Sequence, residues 1–302
     1  MSRIFKHQAP AKLNLFLHVT GRRDDGYHLL QSLFVPIALY DELSFSLTHQ
    51  GKVRRLTTIP GIAEEDDLVV KAAYLLKAHV ERPALGVDIE LKKNIPSGAG
   101  LGGGSSDAAT TLLVLNELWG LQLSKEELLP LALQLGADVP FFLYCTPAVV
   151  EGIGEQIVPL EQLGNRLNKA HYVLFVPKLA IPTVSIFKDP DLTRDTSKLS
   201  LEELSEALKL MKQPWLYGHN DLEPVACKQH LVLAELAGWL RDLGVEARMS
   251  GAGSVFYAAS PTREEAELIH QRVEGALNDL PLSHPLNALE MRCIIVAAHT
   301  ES

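Results

Sequence analysis

The sequence is poor in cysteine, and the cysteines it has are far apart. Only Cys145, Cys227 and Cys293 occur in 302 residues, and no pair of Cys or His residues has the spacing of a zinc site. Each cysteine lies beside apolar residues, so we expect free thiols in a reducing compartment. These observations argue against a disulfide framework and a catalytic cysteine, and they predict no protein metal centre.

The sequence also lacks an excess of positive charge and any long apolar run. The formal net charge is −9, which argues against a nucleic-acid or membrane-surface partner. No apolar stretch is long enough to span a bilayer, and residues 1–7 lack the apolar centre of a secretion signal. We therefore expect a cytoplasmic protein with neither a nucleic-acid nor a membrane partner.

What the chain does have is the composition of a globular protein, with 47% hydrophobic and 22% charged residues. Its length predicts two domains, and we expect the second to begin near residue 160. Alternating and helical apolar patterns are mixed along the chain, which favours an α+β fold over a doubly wound sheet. The patterns predict strands over 9–19, 29–39, 41–47, 86–91, 156–160, 171–176, 255–259 and 292–297. They predict helices starting at 68 and 200 and over 105–119, 124–135, 229–243 and 262–277, with loops at 181–190 and 220–224.

The most informative stretch of the sequence is the glycine-rich segment 95–110, in which five of the seven residues 98–104 are glycine. Glycine lets the backbone turn with positive φ and approach a ligand closely. Ser105, Ser106 and Asp107 are good helix starters, and an apolar helical pattern follows them. A loop of bare N–H groups that leads into a helix N-terminus is typical of a phosphate site.

Other interpretations of the same segment are less satisfactory. Residues 98–103 match the dinucleotide pattern G-x-G-x-x-G, but Pro96 and Ser97 interrupt the strand that should precede it, and a helix follows where a second strand is needed. No lysine follows the glycines, which excludes a Walker-type P-loop. A flexible linker would not normally lead into a capped helix.

Five further side chains are candidates for a site, although each has an ordinary alternative. Lys12 and Asn14 share the non-core face of the first strand, where they are either functional or simply solvated. Tyr27 and His28 follow a turn-rich loop, and they either contact a planar base or are ordinary half-buried residues. Asp138 enters an apolar segment, where a lone carboxylate is paired, capping or catalytic.

Taken together, these motifs resemble the GHMP kinase superfamily. The resemblance covers essentially the whole chain, and the late glycine turn 250–254 supports it. The discriminating segments are Ala11-Lys12-Leu13-Asn14-Leu15, Asp25-Gly26-Tyr27-His28, the glycine segment 96–106 and Ile181-Pro182-Thr183. Gly136-Ala137-Asp138-Val139-Pro140 and Asn220-Asp221-Leu222-Glu223-Pro224 also support the resemblance.

The resemblance implies a two-domain α+β kinase with mixed and antiparallel sheets and an active site in the interdomain cleft. Residues 1–160 would form the N-terminal ATP-binding domain and residues 161–302 the C-terminal domain. The implied reaction is ATP-dependent phosphorylation of the 2-hydroxyl of a cytidine diphosphate-linked methylerythritol, in non-mevalonate isoprenoid precursor biosynthesis. The implied cofactors are ATP and Mg²⁺, and the expected assembly is a monomer or weak homodimer.

The resemblance also implies roles for single residues. Lys12 and Asp138 match the catalytic pair, and Ser105 or Ser106 is expected to contact the metal. ATP phosphates would be held by Pro96, Ser97, Gly98, Ala99, Gly100, Leu101, Gly102, Gly103, Gly104, Ser105 and Ser106. The substrate would contact Asn14, Tyr27, His28, Thr183 and Phe187, with cytosine stacked between Tyr27 and Phe187. The late turn at Gly253-Ser254-Val255-Phe256 is a residue shorter than the common family pattern.

Three alternatives stay open at this point. A sister kinase, of the homoserine or mevalonate type, would share the glycine segment but has no need for Tyr27, His28 and Phe187. A non-catalytic nucleotide-binding regulator would tolerate the loss of Lys12 or Asp138, yet both are present. The dinucleotide pattern alone suggests a dehydrogenase.

Overall fold

The computed structural model describes residues 3–48, 50–160 and 166–299. Internal contacts divide the chain into two compact units that are not contiguous in sequence. The first unit holds residues 1–11, 39–95 and 102–145, and the second holds residues 12–38, 96–101 and 146–302. The predicted boundary at 160/161 is a different division of the chain. It stays a prediction, because residue 161 lies outside the described residues.

The first unit combines sheet strands with a group of packed helices. Strand β4 (Gly86–Lys92) pairs antiparallel with the second half of β2 (His28–Thr48) and parallel with β3 (Val53–Arg55), so both kinds of pairing occur. Helices α1, α2, α3 and α4 pack on one another through their apolar sides. The bounds are Ile4–Arg22 for β1, His28–Thr48 for β2, Val53–Arg55 for β3, Leu68–His79 for α1, Gly86–Lys92 for β4, Gly103–Leu118 for α2, Lys125–Leu135 for α3 and Val139–Tyr144 for α4.

Two helix starts in this unit test the capping predictions. Ser124 and Glu127 form a complete capping box at the start of α3, and Gly136 is the C-cap, as the sequence indicates. Helix α2 begins earlier than predicted, because Gly102 is its N-cap in the left-handed conformation. Ser105, Ser106 and Asp107 therefore lie inside the helix, and the prediction that they start it is wrong.

The second unit contains a four-stranded antiparallel sheet. Its strands lie in the order β10 (Arg292–Ala297), β7 (His171–Val176), β9 (Phe256–Ser260) and β8 (Arg248–Met249). Its apolar core includes Phe175 and Phe256, which are register partners on β7 and β9. The first half of β2 pairs with β5, and β5 pairs with β6. The bounds are Ala148–Gly152 for β5, Gln156–Pro159 for β6, His171–Val176 for β7, Thr183–Lys188 for α5, Leu201–Leu210 for α6, Leu222–Gln229 for α7, Leu231–Asp242 for α8, Arg248–Met249 for β8, Phe256–Ser260 for β9, Arg263–Asn278 for α9 and Arg292–Ala297 for β10.

The α+β class with mixed and antiparallel strands is confirmed, but four local predictions are wrong. The two strands predicted over 29–47 form one continuous strand, β2. The predicted loop at 181–190 contains helix α5, for which Pro182 supplies a preset φ of −66° at the N-cap. Helix α7 starts inside the segment 220–224, where the Asn220 side chain accepts a hydrogen bond from the N–H of Leu222. The alternation in β1 predicts one solvated face, yet residues 9–19 are all buried.

Candidate functional site

The part of the glycine segment that belongs to the second unit, residues 96–101, turns its carbonyl groups toward the protein. Four consecutive carbonyl oxygens, those of residues 98–101, each accept a hydrogen bond from another element. The donors are the N–H of Ile181 (3.2 Å), the N–H of Val255 (3.3 Å), Oγ of Ser250 (3.0 Å) and the N–H of Lys12 (2.9 Å). This arrangement fixes the path of the loop, because every carbonyl in the row is held.

The N–H groups of the same residues are left available. Within the described chain, no N–H from residue 97 to residue 101 donates to another protein group. Gly100 has φ of +79°, and a Cβ on it would lie 2.0 Å from the carbonyl oxygen of Ser250. Only glycine fits there, so the close approach of the late glycine turn depends on it. A row of unused N–H groups on a fixed loop is suited to bind an anion.

Lys12 and Asn14 lie beside this loop in the same unit. The Lys12 side chain is 3% exposed, its Nζ donates to Oδ1 of Asn14 at 2.6 Å, and it lies 4.7 Å from the ring centre of Phe34. Asn14 in turn donates through Nδ2 to Oγ of Ser32 at 3.0 Å, and its backbone N–H donates to Oγ of Ser250 at 3.2 Å. A buried ammonium is costly unless it is paired, so these contacts hold a positive charge next to the loop.

In the first unit, the glycine segment continues into helix α2. The N–H groups of residues 103–105 have no acceptor among the described residues, as expected for the first turn of a helix. Ser106 is fully buried, and its Oγ has no hydrogen-bond partner within the described chain. A buried hydroxyl without a partner at a helix start is a hard oxygen that a ligand or cation can satisfy.

A buried charge cluster anchors the chain on both sides of the glycine segment in this unit. The ammonium of Lys93 is paired with the carboxylates of Asp41 and Asp107, the second at 2.6 Å. Asp41 also accepts from the N–H groups of Asn94 (2.5 Å) and Ile95 (2.8 Å). Residues immediately before the glycines and a residue of α2 are thereby held by one cluster.

Two carboxylates share one ammonium in this cluster, and this imbalance shifts the pKa values. Burial raises the pKa of Asp107 to about 7, against the opposing effect of Lys93 and with a further increase from Asp41. Burial alone would lower the pKa of Lys93, but the charges of Asp107 and Asp41 outweigh it and raise that pKa. The cluster therefore retains a proton more readily than isolated carboxylates do.

Asp138 lies at the start of α4 in the first unit. It occupies the N-cap position, but its carboxylate does not accept from the N–H groups of the first turn. Of the two ordinary alternatives for this residue, capping or pairing, the capping role is therefore absent. Helix α4 packs against α2 and α3, so the position of Asp138 is set by the helical group of this unit.

Among the predicted substrate residues, the structure brings His28 and Phe187 together in the second unit. Their ring centres are 4.9 Å apart and the ring planes differ by 30°. Tyr27 is 61% exposed and makes no ring contact with another described residue. Thr183 is the exposed first residue of α5. Burial lowers the pKa of His28, and the neighbouring Arg194 and Arg22 lower it further.

Several residues of this arrangement were not identified by sequence reasoning. Ser32 and Asp41 hold candidate residues in place, but their positions follow no local motif. Lys93 and Asp107 flank the glycines, but the sequence does not indicate that they pair with each other and with Asp41. Arg194 lies in a loop between Thr193 and Asp195, where nothing in the sequence marks it. Ser250 was recognisable only as a member of the late glycine turn.

One finding bears on the dehydrogenase alternative. Helix α2 is followed by helix α3, so the strand that a dinucleotide-binding unit needs after its helix is not present at that place.

In residues 3–48, 50–160 and 166–299, no helix combines the length and the apolar character that crossing a bilayer requires.

Comparison with known proteins adds independent findings. Residues 67–146 match the family model of the GHMP kinases N terminal domain, and residues 196–279 match that of the GHMP kinases C terminal domain. The chain is 46% identical over 285 residues to the 4-diphosphocytidyl-2-C-methyl-D-erythritol kinase of Nitrosomonas europaea, covering 92% of this chain and 98% of that protein. It is also 46% identical over 285 residues to the kinase of the same name from Burkholderia orbicola, covering 93% of this chain and 95% of that protein.

Solved structures agree. A crystal structure of 4-(cytidine 5'-diphospho)-2C-methyl-D-erythritol kinase matches 98% of this chain and 100% of its own, with a TM-score of 0.74 and 33% identity. A homoserine kinase from Cytophaga hutchinsonii matches 99% of this chain and 95% of its own, with a TM-score of 0.70 at 19% identity. The second likeness shows a shared fold only.

Proposed function

Because the chain belongs to the GHMP kinase family and, within it, to the 4-diphosphocytidyl-2-C-methyl-D-erythritol kinases, we propose that it transfers the γ-phosphoryl group of ATP to the 2-hydroxyl of 4-diphosphocytidyl-2-C-methyl-D-erythritol. The chain is thus an ATP-dependent small-molecule kinase of isoprenoid biosynthesis. The observation that carries this assignment is 46% identity to kinases of that name over more than nine-tenths of the chain.

The glycine segment supports the ATP half of the proposal. The carbonyls of residues 98–101 are held by other parts of the chain, and the unused N–H groups of residues 97–101 would donate to phosphate oxygens. Proposed contacts to the nucleotide are made by the stretch from Pro96 to Ser106, first by loop N–H groups and then by the start of α2. Because the loop is already held through its carbonyls, its donors would need little rearrangement when charge develops on the transferred group.

Lys12 and Asp138 are the proposed catalytic residues. The erythritol hydroxyl is a weak nucleophile, so it must be aligned with the γ-phosphorus and give up its proton during transfer. Asp138 would accept that proton or orient the hydroxyl, and late proton transfer suits a loose transition state. Lys12, a buried ammonium beside the loop, would neutralise charge on the moving phosphoryl group.

Mg²⁺ is proposed as the cofactor that accompanies ATP. The buried hydroxyl of Ser106 has no hydrogen-bond partner among the described residues, so it fits a hard cation, which usually takes only one or two protein oxygens when phosphates supply others. When bound, the ion would neutralise part of the charge on the phosphates of ATP. Among the described residues no cluster of three or more His, Cys, Asp or Glu side chains could hold a metal alone.

The cytidine half of the proposal is supported by the neighbouring rings of His28 and Phe187. A cytosine stacked on Phe187, with Tyr27 on its other face, would contribute about 1–3 kcal/mol per aromatic contact. Asn14 and Thr183 are proposed to line the path of the rest of the substrate. A cytoplasmic location and a monomer or weak homodimer remain part of the proposal.

The test is phosphate transfer from ATP to 4-diphosphocytidyl-2-C-methyl-D-erythritol by the parent chain and by Asp138→Asn. We expect the variant to lose roughly 10³-fold in kcat, within the range that general base catalysis supplies, with its fold preserved. Asp242→Asn, which alters an exposed carboxylate at the end of α8, is the matched control.

Two outcomes would contradict the proposal. Unchanged turnover by Asp138→Asn would remove this residue from the mechanism. Phosphorylation of homoserine or mevalonate, with no response to cytidine nucleotides, would replace the substrate assignment by that of a sister kinase.

A further inference from the structure

Arg194 uses its whole guanidinium group to hold the surroundings of His28 and Phe187. Its Nε donates to Nε2 of His28 at 3.1 Å. Its two Nη atoms donate to four backbone carbonyl oxygens within residues 187–192, which precede it in the chain. The distances are 3.1 Å to Phe187, 2.6 Å to Asp189, 3.4 Å to Pro190 and 2.9 Å to Leu192.

These contacts join two distant parts of the sequence. Phe187 is near the C-terminus of α5, where free carbonyl groups and the negative end of the helix dipole favour a cation. His28 is the first residue of β2. One rigid, planar donor group therefore holds the ring of His28 and the backbone that carries the ring of Phe187.

The contact between Arg194 and His28 also determines where the imidazole carries its proton. An arginine N–H can only donate, so Nε2 of His28 must present its lone pair. The neutral ring then carries its hydrogen on Nδ1. No described residue accepts from that Nδ1, and the ring is only partly buried, so this donor is available to a ligand.

A donor at this place distinguishes the two pyrimidine bases. Ring atom N3 of cytosine is a hydrogen-bond acceptor, whereas N3 of uracil carries a hydrogen. A donor fixed on the protein pairs with the first and opposes the second, which leaves the uracil complex with unsatisfied groups. If the proton moved to Nε2, the ring would offer an acceptor at Nδ1 and the preference would be lost.

We propose that Arg194 is a positioning residue that holds His28 as the neutral Nδ1–H tautomer, and that this tautomer selects cytidine over uridine in the diphosphate substrate. The inference rests on the proposed function for the identity of the base. The state of the imidazole is a property of the free protein and is measurable without substrate.

The first experiment measures the tautomer of His28 by ¹⁵N–¹H correlation spectroscopy of the ligand-free protein labelled at histidine. We expect the Nδ1–H pattern in the parent chain and a change toward the Nε2–H pattern in Arg194→Met. The pKa of His28, followed in the same spectra, should rise in this variant, because a nearby positive charge is lost.

The second experiment compares kcat/KM for cytidine diphosphate-linked and uridine diphosphate-linked methylerythritol. Arg194→Met should lower the cytidine-to-uridine ratio by about tenfold, the value of one hydrogen bond, without changing KM for ATP. Arg194→Lys keeps the charge and one donor, so it should restore part of the ratio. It also serves as the second variant if Arg194→Met does not fold.

Arg166→Met is the matched control. Arg166 likewise donates to four backbone carbonyls, those of residues 208, 209, 211 and 212, but it contacts neither ring. Its substitution removes a similar set of hydrogen bonds and should leave the ratio unchanged. An equal fall of the ratio in both arginine variants would show that Arg194 acts only through general stability.

Outcomes that overturn this inference differ from those that overturn the proposed function. An Nε2–H pattern in the parent chain, or an unchanged ratio in Arg194→Met, refutes the role of Arg194 while kinase activity stands. A parent chain that does not phosphorylate the cytidine substrate refutes the proposed function, whereas the tautomer measurement still decides the state of His28.

Discussion

The glycine segment and the His28–Phe187 pair are built in different ways, although both are proposed to bind parts of one reaction complex. The loop of residues 96–101 offers backbone N–H groups, and its carbonyls are held by donors from four other places in the chain. The aromatic pair offers side chains, which one arginine holds from the side. In the proposed function, phosphate recognition would depend on backbone shape, whereas base recognition would depend on the orientation and protonation of rings.

This difference has a consequence for substitution. A backbone cradle tolerates changes of many side chains but not the addition of a Cβ where another backbone approaches closely. A side-chain pocket is more tolerant of small shifts, but it loses selectivity when a ring is removed or reprotonated. The following three predictions test the contrast in order of decreasing effect.

The largest effect is expected for Gly100→Ala. The new Cβ would lie 2.0 Å from the carbonyl oxygen of Ser250, so the loop or the late turn must move. A displacement of this size at a phosphate cradle should lower kcat/KM for ATP by about 100-fold or more. The measurement is steady-state kinetics with ATP varied at saturating second substrate.

Gly61→Ala is a closely matched control for Gly100→Ala. Gly61 has the same φ of +79°, but a Cβ there meets nothing within 4 Å. The two variants therefore share the backbone strain, and only one has the clash. Equal ATP kinetics in both variants would show that close packing against Ser250 does not matter for the cradle.

A smaller and more selective effect is expected for Phe187→Ala. Loss of one stacking surface should raise KM for the cytidine substrate by about tenfold and leave KM for ATP unchanged. Val184→Ala removes an exposed side chain from the same helix and controls for the stability of α5. If KM for ATP rose in parallel in Phe187→Ala, the separation between the two recognition modes would be wrong.

The smallest effect concerns the charged anchor of the glycine segment and is seen in stability. The pKa of Asp107 is raised to about 7, so between its ordinary value and about 7 the folded chain binds a proton that the unfolded chain has lost. Stability from this group therefore falls as pH rises through that window. From about pH 6 to pH 8 the decline is on the order of 1 kcal/mol, or roughly 2–4 °C in Tm.

Asp107→Asn removes this titration, so the variant should lose less thermal stability than the parent between these two pH values. Thermal unfolding at both pH values measures the difference, and Asp242→Asn serves as the control for a surface carboxylate. If the Tm of the parent chain and that of Asp107→Asn changed equally with pH, titration of Asp107 would be excluded as the cause.

Local signals determined a large part of this protein. The glycine segment, the capping box of Ser124 and the alternation of β1 each act over a few residues, and the structure has an element at each place. The relation to the GHMP kinases also follows from such segments, since their order along the chain is enough to identify them. The glycine loop and the helix after it were thus predictable, because the backbone of one continuous stretch forms them.

Tertiary structure alone decided the rest, because the deciding contacts join residues that are far apart in sequence. Strand β2 continues through Asp41 because this buried carboxylate is satisfied by Lys93, Asn94 and Ile95. The polar face of β1 is buried because Ser250 and Ser32 supply partners to Asn14. Arg194 meets His28 across 166 positions, and a pattern of local period contains no information about a hydrogen bond of that range.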